Sequence, residues 1–248
     1  MIISLLIVLS LGWVAGGLLN YLADRLPARS RRDQSQPVQV CHQPMPFIRY
    51  LTWPKIYQGG SQWICLRSWL VLVFMPLAAA WLWLETTHRL GFVLKLIILV
   101  YLGLVIVIDI EHHLILFPTI WVGALLGLAV GWSRLGVVNS WLGGLAAVLI
   151  SLVIFIFGHF FISLLGRLRR QKIEKVAFGF GDVLLSGVIG LMVGWPLILR
   201  SLLVSILAAG LFSLVYLLIL FALRRYSLGR VLPYAPLLIF GAIWVSYF

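Results

Sequence analysis

The chain of 248 residues is 62% hydrophobic and only 10% charged, with a formal net charge of +12. Soluble chains are about half apolar and roughly a quarter charged, so this composition excludes a soluble domain with a single core and indicates a membrane protein. The basic residues lie between apolar runs rather than on one polar domain, so the positive charge does not indicate nucleic-acid binding.

Eight apolar segments approach the length of a membrane-spanning helix, which needs roughly 20 apolar residues. They cover residues 2–22, 68–85, 92–109, 118–133, 138–165, 183–198, 201–223 and 231–248. We therefore predict an all-α, polytopic integral membrane protein with about eight transmembrane helices in a lipid bilayer. It divides into a first transmembrane helix (1–23), a cytoplasmic loop (24–67) and a transmembrane core (68–248).

The basic residues predict the orientation of these segments, because Lys and Arg collect in cytoplasmic loops. The loops after the first, fifth and seventh segments hold 15 of the 19 basic residues. These loops, and the one after the third segment, are therefore predicted to be cytoplasmic, and both termini to face outward. The first apolar run is followed rather than preceded by basic residues, so we expect an uncleaved span instead of a signal peptide.

The loop 24–67 contains both cysteines, Cys41 and Cys65. A disulfide is not expected, because the cytoplasm is reducing. Cys41, His42 and Cys65 amount to three zinc ligands, whereas structural zinc sites have four ligands in closely spaced pairs. The sequence therefore favours two free thiols, and no metal ligand is predicted elsewhere.

Acidic residues are rare, and those in a membrane segment are costly enough to be functional candidates. Asp24, Asp33 and Glu85 lie beside arginines or at a helix end, where a carboxylate is commonly solvated or caps the helix. Asp109 differs, because it ends an almost wholly apolar run. It begins a polar patch with three further members, Glu111, His112 and His113. Adjacent helical positions point about 100° apart, so the two histidines make a poor chelating pair.

The second candidate, Asp182, ends the motif Gly179-Phe-Gly-Asp182. The two glycines are predicted to allow unusual backbone conformations or close approach of another helix. Asp182 is expected at the N-cap of the sixth segment, a favoured position for aspartate. The helix from there to the turn at 194–196 is roughly 20 Å long, shorter than the ~30 Å hydrocarbon core. Asp182 is therefore predicted to be recessed below the cytoplasmic surface, with a simple capping role as the alternative.

The predicted topology brings the two carboxylates to one face. The third segment runs inward and ends at Asp109, and the sixth runs outward and begins at Asp182. Two close carboxylates in a poorly hydrated site share a proton, so one can activate water while the other donates a hydrogen bond to a carbonyl. This is the division of labour of an aspartic protease. A helix N-terminus favours negative charge, so Asp182 is predicted to be the better-ionised member.

These residues resemble a known family, the type IV prepilin peptidases. Gly179-Phe-Gly-Asp182 is similar to the family's GxGD signature, and Asp109-Ile-Glu-His112 is similar to its first catalytic motif. Three other stretches agree in order, at 17–27, 190–196 and 233–236. The resemblance implies that Asp109 and Asp182 are catalytic, with Gly179, Gly181 and Glu111 as supporting motif residues.

The resemblance also implies a substrate and a location. Members cut the basic leader from prepilins or pseudopilins at the cytoplasmic face of the inner membrane, and many then methylate the new N-terminus with S-adenosylmethionine. The family often has two C-x-x-C pairs in the first loop, and here each expected pair is reduced to one cysteine. Zinc is therefore not favoured, and methylation stays open.

Three other functions are compatible with the sequence. Each of them either uses the two aspartates or tolerates their loss. One is a non-catalytic membrane scaffold, and another is a proton-coupled transporter. The third is a GxGD protease that cleaves membrane helices in general.

Overall fold

The computed structural model describes residues 2–32, 47–52, 62–86, 89–169, 179–222 and 233–247. These ranges contain helices and connecting turns, with no strand among them. The helices are α1 (Ile2–Arg32), α2 (Phe47–Thr52), α3 (Gln62–Glu85), α4 (Arg89–His112), α5 (Phe117–Leu135), α6 (Val137–Arg169), α7 (Phe180–Val193), α8 (Leu197–Ala222) and α9 (Ala235–Tyr247).

The prediction of an all-α polytopic membrane protein is confirmed. All of these helices except the six-residue α2 coincide with the predicted apolar segments. Five helices are long and apolar enough to cross a membrane, with candidate spans Ile3–Pro27, Leu66–Glu85, Gly91–His112, Val137–Phe161 and Leu197–Ala222. The apolar helices α7 and α9 are shorter. The predicted turn at 194–196 is confirmed, because α7 ends at Val193 and α8 begins at Leu197, so the apolar segment 183–198 continues past the end of its helix.

The chain forms two compact units, Met1–Ile108 and Asp109–Phe248. In the first unit, α1 packs along α3. Gly12 permits this contact, because a Cβ there would lie 2.5 Å from the Cα of Pro76. Asp24 of α1 accepts two hydrogen bonds of 2.7 Å, one from Arg67 of α3 and one from the Tyr50 hydroxyl of α2. Asp24 therefore has a structural role in joining three helices.

In the second unit, α7 occupies the centre. It packs against α5, α6, α8 and α9, and nine of its fourteen residues are buried. Small residues allow the close contact with α6, where a Cβ on Gly143 would lie 2.5 Å from the carbonyl oxygen of Gly190. The Ser140 hydroxyl of α6 also donates a hydrogen bond of 2.8 Å to the Leu191 carbonyl. The short helix that begins beside Asp182 is thus enclosed by protein on several sides.

The outer surface of the helices is apolar. On α8, for example, large side chains are exposed at Leu203, Leu207, Leu211, Leu218 and Phe221. A soluble monomer rarely exposes a continuous apolar surface of this extent, whereas a bilayer covers it. The distribution of exposed side chains therefore agrees with a multi-pass membrane protein.

Candidate active site

Burial separates two acids from the others in the described ranges. Asp109 is 5% exposed and Asp182 is 9% exposed, and they are the only buried acids there. Within these ranges neither carboxylate has an ion-pair partner, whereas Asp24 pairs with Arg67 and Glu85 lies 3.8 Å from the Lys95 ammonium. Burying a carboxylate without a cation is costly, so these two positions require an explanation beyond folding.

Asp109 lies in the last turn of α4 and faces the start of a helix far along the chain. Its Oδ2 accepts a hydrogen bond of 3.0 Å from the backbone N–H of Ala235, the first residue of α9. The first N–H groups of a helix have no partner within the helix, and they carry partial positive charge. The N-terminus of α9 therefore holds and orients the Asp109 carboxylate.

Asp182 is held by the N-terminus of its own helix. Its Oδ2 accepts a hydrogen bond of 2.9 Å from the Gly179 N–H, and its own N–H donates to the Gly179 carbonyl at 3.1 Å. The predicted N-cap position is wrong, because Gly179 is the N-cap and Asp182 is the third residue of α7. A carboxylate at this third position can reach back to the N-cap N–H, which an N-cap aspartate cannot do.

The two glycines of the motif have different roles. Gly179 has φ −91° and ψ 158°, a conformation open to any residue, so the predicted unusual backbone is wrong at this position. At Gly181 the expected close approach is found, but the neighbour is a linker residue rather than a helix. A Cβ on Gly181 would lie 2.9 Å from the Cβ of Ile115, between α4 and α5.

The two carboxylates lie within electrostatic range of each other. His113 lies within electrostatic range of Asp109, and Tyr234 lies within electrostatic range of Asp182. Burial raises the pKa of Tyr234 to about 12, and the Asp182 carboxylate adds to the rise. The phenol is therefore protonated at physiological pH and can donate a hydrogen bond. Tyr234 and the Ala235 N–H are site groups that no local sequence pattern indicates, apart from the resemblance of residues 233–236 to the family.

The remaining predicted site residues lie around the end of α4 and are less buried than Asp109. Glu111 and His112 are half-buried in the last turn of α4, and His113 is exposed, with φ +49° beyond the helix end. In the described part of the chain no three His, Cys, Asp or Glu residues group as metal ligands. Cys41 and His42 lie outside the described residues, as does the side chain of Cys65.

The arrangement suits acid–base chemistry on a carbonyl group. Each carboxylate is fixed through Oδ2 by one backbone N–H, and a carboxylate has lone pairs on both oxygens. The second oxygen can therefore serve a water molecule or a substrate. Mutual repulsion of two nearby carboxylates favours a shared proton between them, which supplies one base and one acid in the same site.

Comparison with known proteins agrees with this chemistry. A model of the type IV leader peptidase family matches residues 96–214. Comparisons with curated proteins and with solved structures give no match. The matched range contains both buried aspartates and both motif glycines, and it ends before Tyr234. The resemblance indicated by the sequence motifs is thereby confirmed, because the region that carries both aspartates matches the type IV leader peptidase family.

Proposed function

We propose that this protein is an aspartic endopeptidase of the inner membrane that removes the basic leader of type IV prepilins or pseudopilins at the cytoplasmic face. One observation carries the proposal. The only buried acids of the described ranges, Asp109 and Asp182, lie within electrostatic range of each other and are each oriented by a helix N-terminus. Family membership of residues 96–214 supports a peptidase.

In this mechanism the pair starts with one shared proton. The ionised carboxylate removes a proton from water, and the resulting hydroxyl oxygen bonds to the scissile carbonyl carbon. The neutral carboxyl gives its proton to the carbonyl oxygen. The tetrahedral intermediate, a geminal diol, then collapses: one of its hydroxyls returns a proton to the ionised carboxylate, the C–N bond breaks, and the leaving nitrogen takes the proton of the neutral carboxyl, so the pair again holds one proton. The N–H groups of Gly179 and Ala235 keep both carboxylates in position through these proton transfers.

The structure changes one detail of the assignment. The sequence favours Asp182 as the better-ionised member because it begins a helix. In the structure both aspartates accept a hydrogen bond from an N–H at a helix N-terminus. This difference between the two residues disappears, and a dyad titrates as a unit. We therefore assign the two roles to the pair without choosing between its members.

The length of α7 supports the class of substrate. Its fourteen residues span about 21 Å, against a hydrocarbon core of about 30 Å. A site at the end of so short a helix would be recessed from the membrane surface. A prepilin-type substrate fits such a site, because its polar leader joins an apolar helix at the bond to be cut.

The test of the proposal uses a prepilin co-expressed with the full-length protein. The Asp109→Asn and Asp182→Asn variants keep side-chain size but cannot ionise, so we expect no leader removal by either. Glu85→Gln is the matched control, because Glu85 is an exposed acid outside the site, and its cleavage should equal that of the wild type. Cleavage that persists in either aspartate variant would disprove the dyad.

The same experiment distinguishes the peptidase from the scaffold and the transporter. It also tests separately whether the new N-terminus is methylated. A scaffold predicts that Asp182→Asn is tolerated, with leader processing and pilus assembly as in the wild type, and a transporter predicts proton flux in vesicles without any cleavage. Mass measurement of the processed N-terminus shows whether the cut follows a glycine. It also shows whether a methyl group from S-adenosylmethionine has been added, an activity that the proposal leaves separate from cleavage.

A further inference from the structure

The short helix α2 lies along α1 in the first unit. Its first residue, Phe47, packs edge to face on the Tyr21 ring, with the ring centroids 5.8 Å apart. Its fifth residue, Leu51, lies against Gly17, where a Cβ would come within 2.8 Å of the Leu51 Cδ2. The Leu51 carbonyl accepts a hydrogen bond of 3.0 Å from the indole N–H of Trp13. The helix α2 therefore runs antiparallel to α1, from the level of Tyr21 back toward Trp13.

The two membrane spans of the first unit give the depth of these contacts. Trp13 is the eleventh of the 25 residues in the candidate span Ile3–Pro27. A Cβ on the adjacent Gly12 would lie 2.5 Å from the Cα of Pro76, which is the eleventh of the 20 residues in the span Leu66–Glu85. Both spans thus place Trp13 near the middle of the membrane. The end of α2 that contacts Trp13 is therefore at the level of the bilayer interior.

The hydrogen bond between Trp13 and Leu51 suits this depth. The last carbonyl groups of a helix have no partner within the helix, and a carbonyl group without a partner is costly in hydrocarbon. The indole N–H supplies the missing donor. Tryptophan is enriched at the membrane surface, so a tryptophan in the middle of a span needs a reason, and this bond gives one.

The polar contact of α2 lies toward the end of the span. The Tyr50 hydroxyl donates a hydrogen bond of 2.7 Å to Asp24, and Asp24 is three residues from the end of the α1 span at Pro27. The one charged residue of α2 is Arg49, which directly precedes Tyr50. Long basic side chains can extend from below the headgroups to the membrane surface. The polar residues of α2 are thus compatible with a position inside the bilayer.

We propose that α2 is a re-entrant helix that lies in the bilayer alongside α1 and contacts lipid acyl chains through Ile48, with Trp13 anchoring it at that depth. Ile48 is 69% exposed, whereas Tyr50, two positions later on the opposite side of the helix, is buried. Acyl chains fit the exposed side because it is apolar and lies within the depth of both spans. The polar loop predicted at 24–67 therefore returns to the membrane at α2. This inference does not depend on the proposed peptidase function.

A single cysteine at position 48 tests the contact with lipid. The variant Ile48→Cys is made in the full-length protein after both native cysteines have been replaced by serine, and it is labelled with a nitrobenzoxadiazole dye. The labelled protein is reconstituted in phosphatidylcholine liposomes that carry a quenching spin label either on the fifth acyl carbon or on the headgroup. Two exposed positions of α3 serve as matched references, Phe74→Cys near the middle of its span and Leu84→Cys one residue from the end.

At Ile48→Cys the acyl-chain spin label should quench the dye more strongly than the headgroup label, as at Phe74→Cys, whereas Leu84→Cys should give the reverse order. A membrane-impermeant maleimide present on both sides of the bilayer should leave the unlabelled Ile48→Cys protein unmodified. Modification of that cysteine, together with the quenching order of Leu84→Cys, would place α2 in water and overturn the proposal. A disulfide between two Ile48→Cys molecules would show that a second copy covers this side, which would also overturn it.

The variant Trp13→Phe tests the anchor, because it removes the donor and keeps an aromatic ring. Without that donor the Leu51 carbonyl is satisfied only by water, so α2 should move outward and quenching at position 48 should shift from the acyl-chain label to the headgroup label. Trp121→Phe on α5 is the matched control, since it removes an indole N–H from an exposed tryptophan elsewhere and should leave the quenching unchanged. Thermal unfolding shows that both variants are folded. Equal quenching in the two variants would disprove the anchor.

Discussion

At the scale of single residues, the two glycines of the Gly179-Phe-Gly-Asp182 motif differ in what a side chain would meet. A Cβ on Gly181 would come within 2.9 Å of the Ile115 Cβ, whereas a Cβ on Gly179 would lie 3.5 Å from Oδ2 of Asp182, an ordinary contact. Gly179 also has a backbone conformation that alanine adopts freely. Position 181 of the motif therefore has no room for a side chain, whereas position 179 can accept one.

This difference predicts unequal effects of the same substitution. Gly181→Ala should lower leader cleavage at least tenfold, because overpacking costs about 1–3 kcal/mol and shifts α7 against the linker that follows Asp109. Gly179→Ala should keep most of the activity. The double variant Gly181→Ala with Ile115→Ala should recover part of the loss, measured as cleavage rate per folded protein. Equal activity of the two single variants would contradict the steric explanation.

Substitution of two other acids, Asp24 and Glu85, should lower the stability of the protein by different amounts. Asp24 is bonded to Arg67 and Tyr50 and is partly shielded from solvent, whereas Glu85 and Lys95 form a longer, more exposed pair. Asp24→Asn leaves the arginine without its counter-charge, so it should lower the free energy of unfolding by about 1–3 kcal/mol. Glu85→Gln should cost at most about 0.5 kcal/mol.

Thermal unfolding of the purified protein measures this contrast. Both substitutions lie in the first unit, while the described contacts of Asp109 and Asp182 lie in the second. The cleavage rate per folded molecule should therefore be unchanged in both variants. An Asp24→Asn protein that is fully stable yet inactive would instead give Asp24 a role in the reaction.

At the scale of helices, the position of α7 depends on residues without side chains. A Cβ on Gly190 would overlap the carbonyl oxygen of Gly143 and lie 2.7 Å from the Cβ of Ala147. Backbone atoms cannot rotate away as a flexible side chain can, so any added atom must separate α6 from α7. Since α7 carries Asp182, the contact between these helices sets the position of one acid of the pair.

Gly190→Ala should therefore destabilise the protein by about 1–3 kcal/mol and reduce cleavage in the remaining folded protein. Gly158→Ala on α6 is the matched control, because a Cβ there meets nothing within 4 Å. Its stability and cleavage should equal those of the wild type. Thermal unfolding and the cleavage rate are the measurements, and a harmless Gly190→Ala would show that the helices can separate without cost.

The helices could be predicted from the sequence, while the contacts that orient the acids could not. Long apolar runs must form helices in a bilayer, because every backbone polar group needs a partner there. The bond between Ala235 and Asp109 joins distant parts of the chain, and no local pattern encodes it. The N-cap of α7 was misplaced by three residues, because Gly179 and Asp182 are both acceptable caps and only the backbone bonding decides between them.

At the scale of the whole molecule, the distribution of charge predicts the orientation in the membrane. Five basic residues lie between positions 167 and 175, whereas the linker between α5 and α6 is a single residue, Gly136, with Arg134 nearby. Positive residues stay in the cytoplasm, so the two regions should face opposite sides.

Reporter insertions measure this orientation. Alkaline phosphatase inserted after Arg170 should be inactive and a fluorescent protein at the same point should fold, while the pattern should reverse at Gly136. Phosphatase activity after Arg170 would place the basic segment, and with it the start of α7, outside the cell. That outcome would contradict cleavage at the cytoplasmic face.

The bond from Ala235 to Asp109 also has a consequence for timing during biosynthesis. A nascent chain in which α4 and α7 have already entered the membrane has both acids but lacks the donor from α9. Translation must proceed more than fifty residues past Asp182 before that donor exists. Proteolytic competence should therefore arise late, after most of the protein has been inserted, which limits premature cutting by half-made molecules.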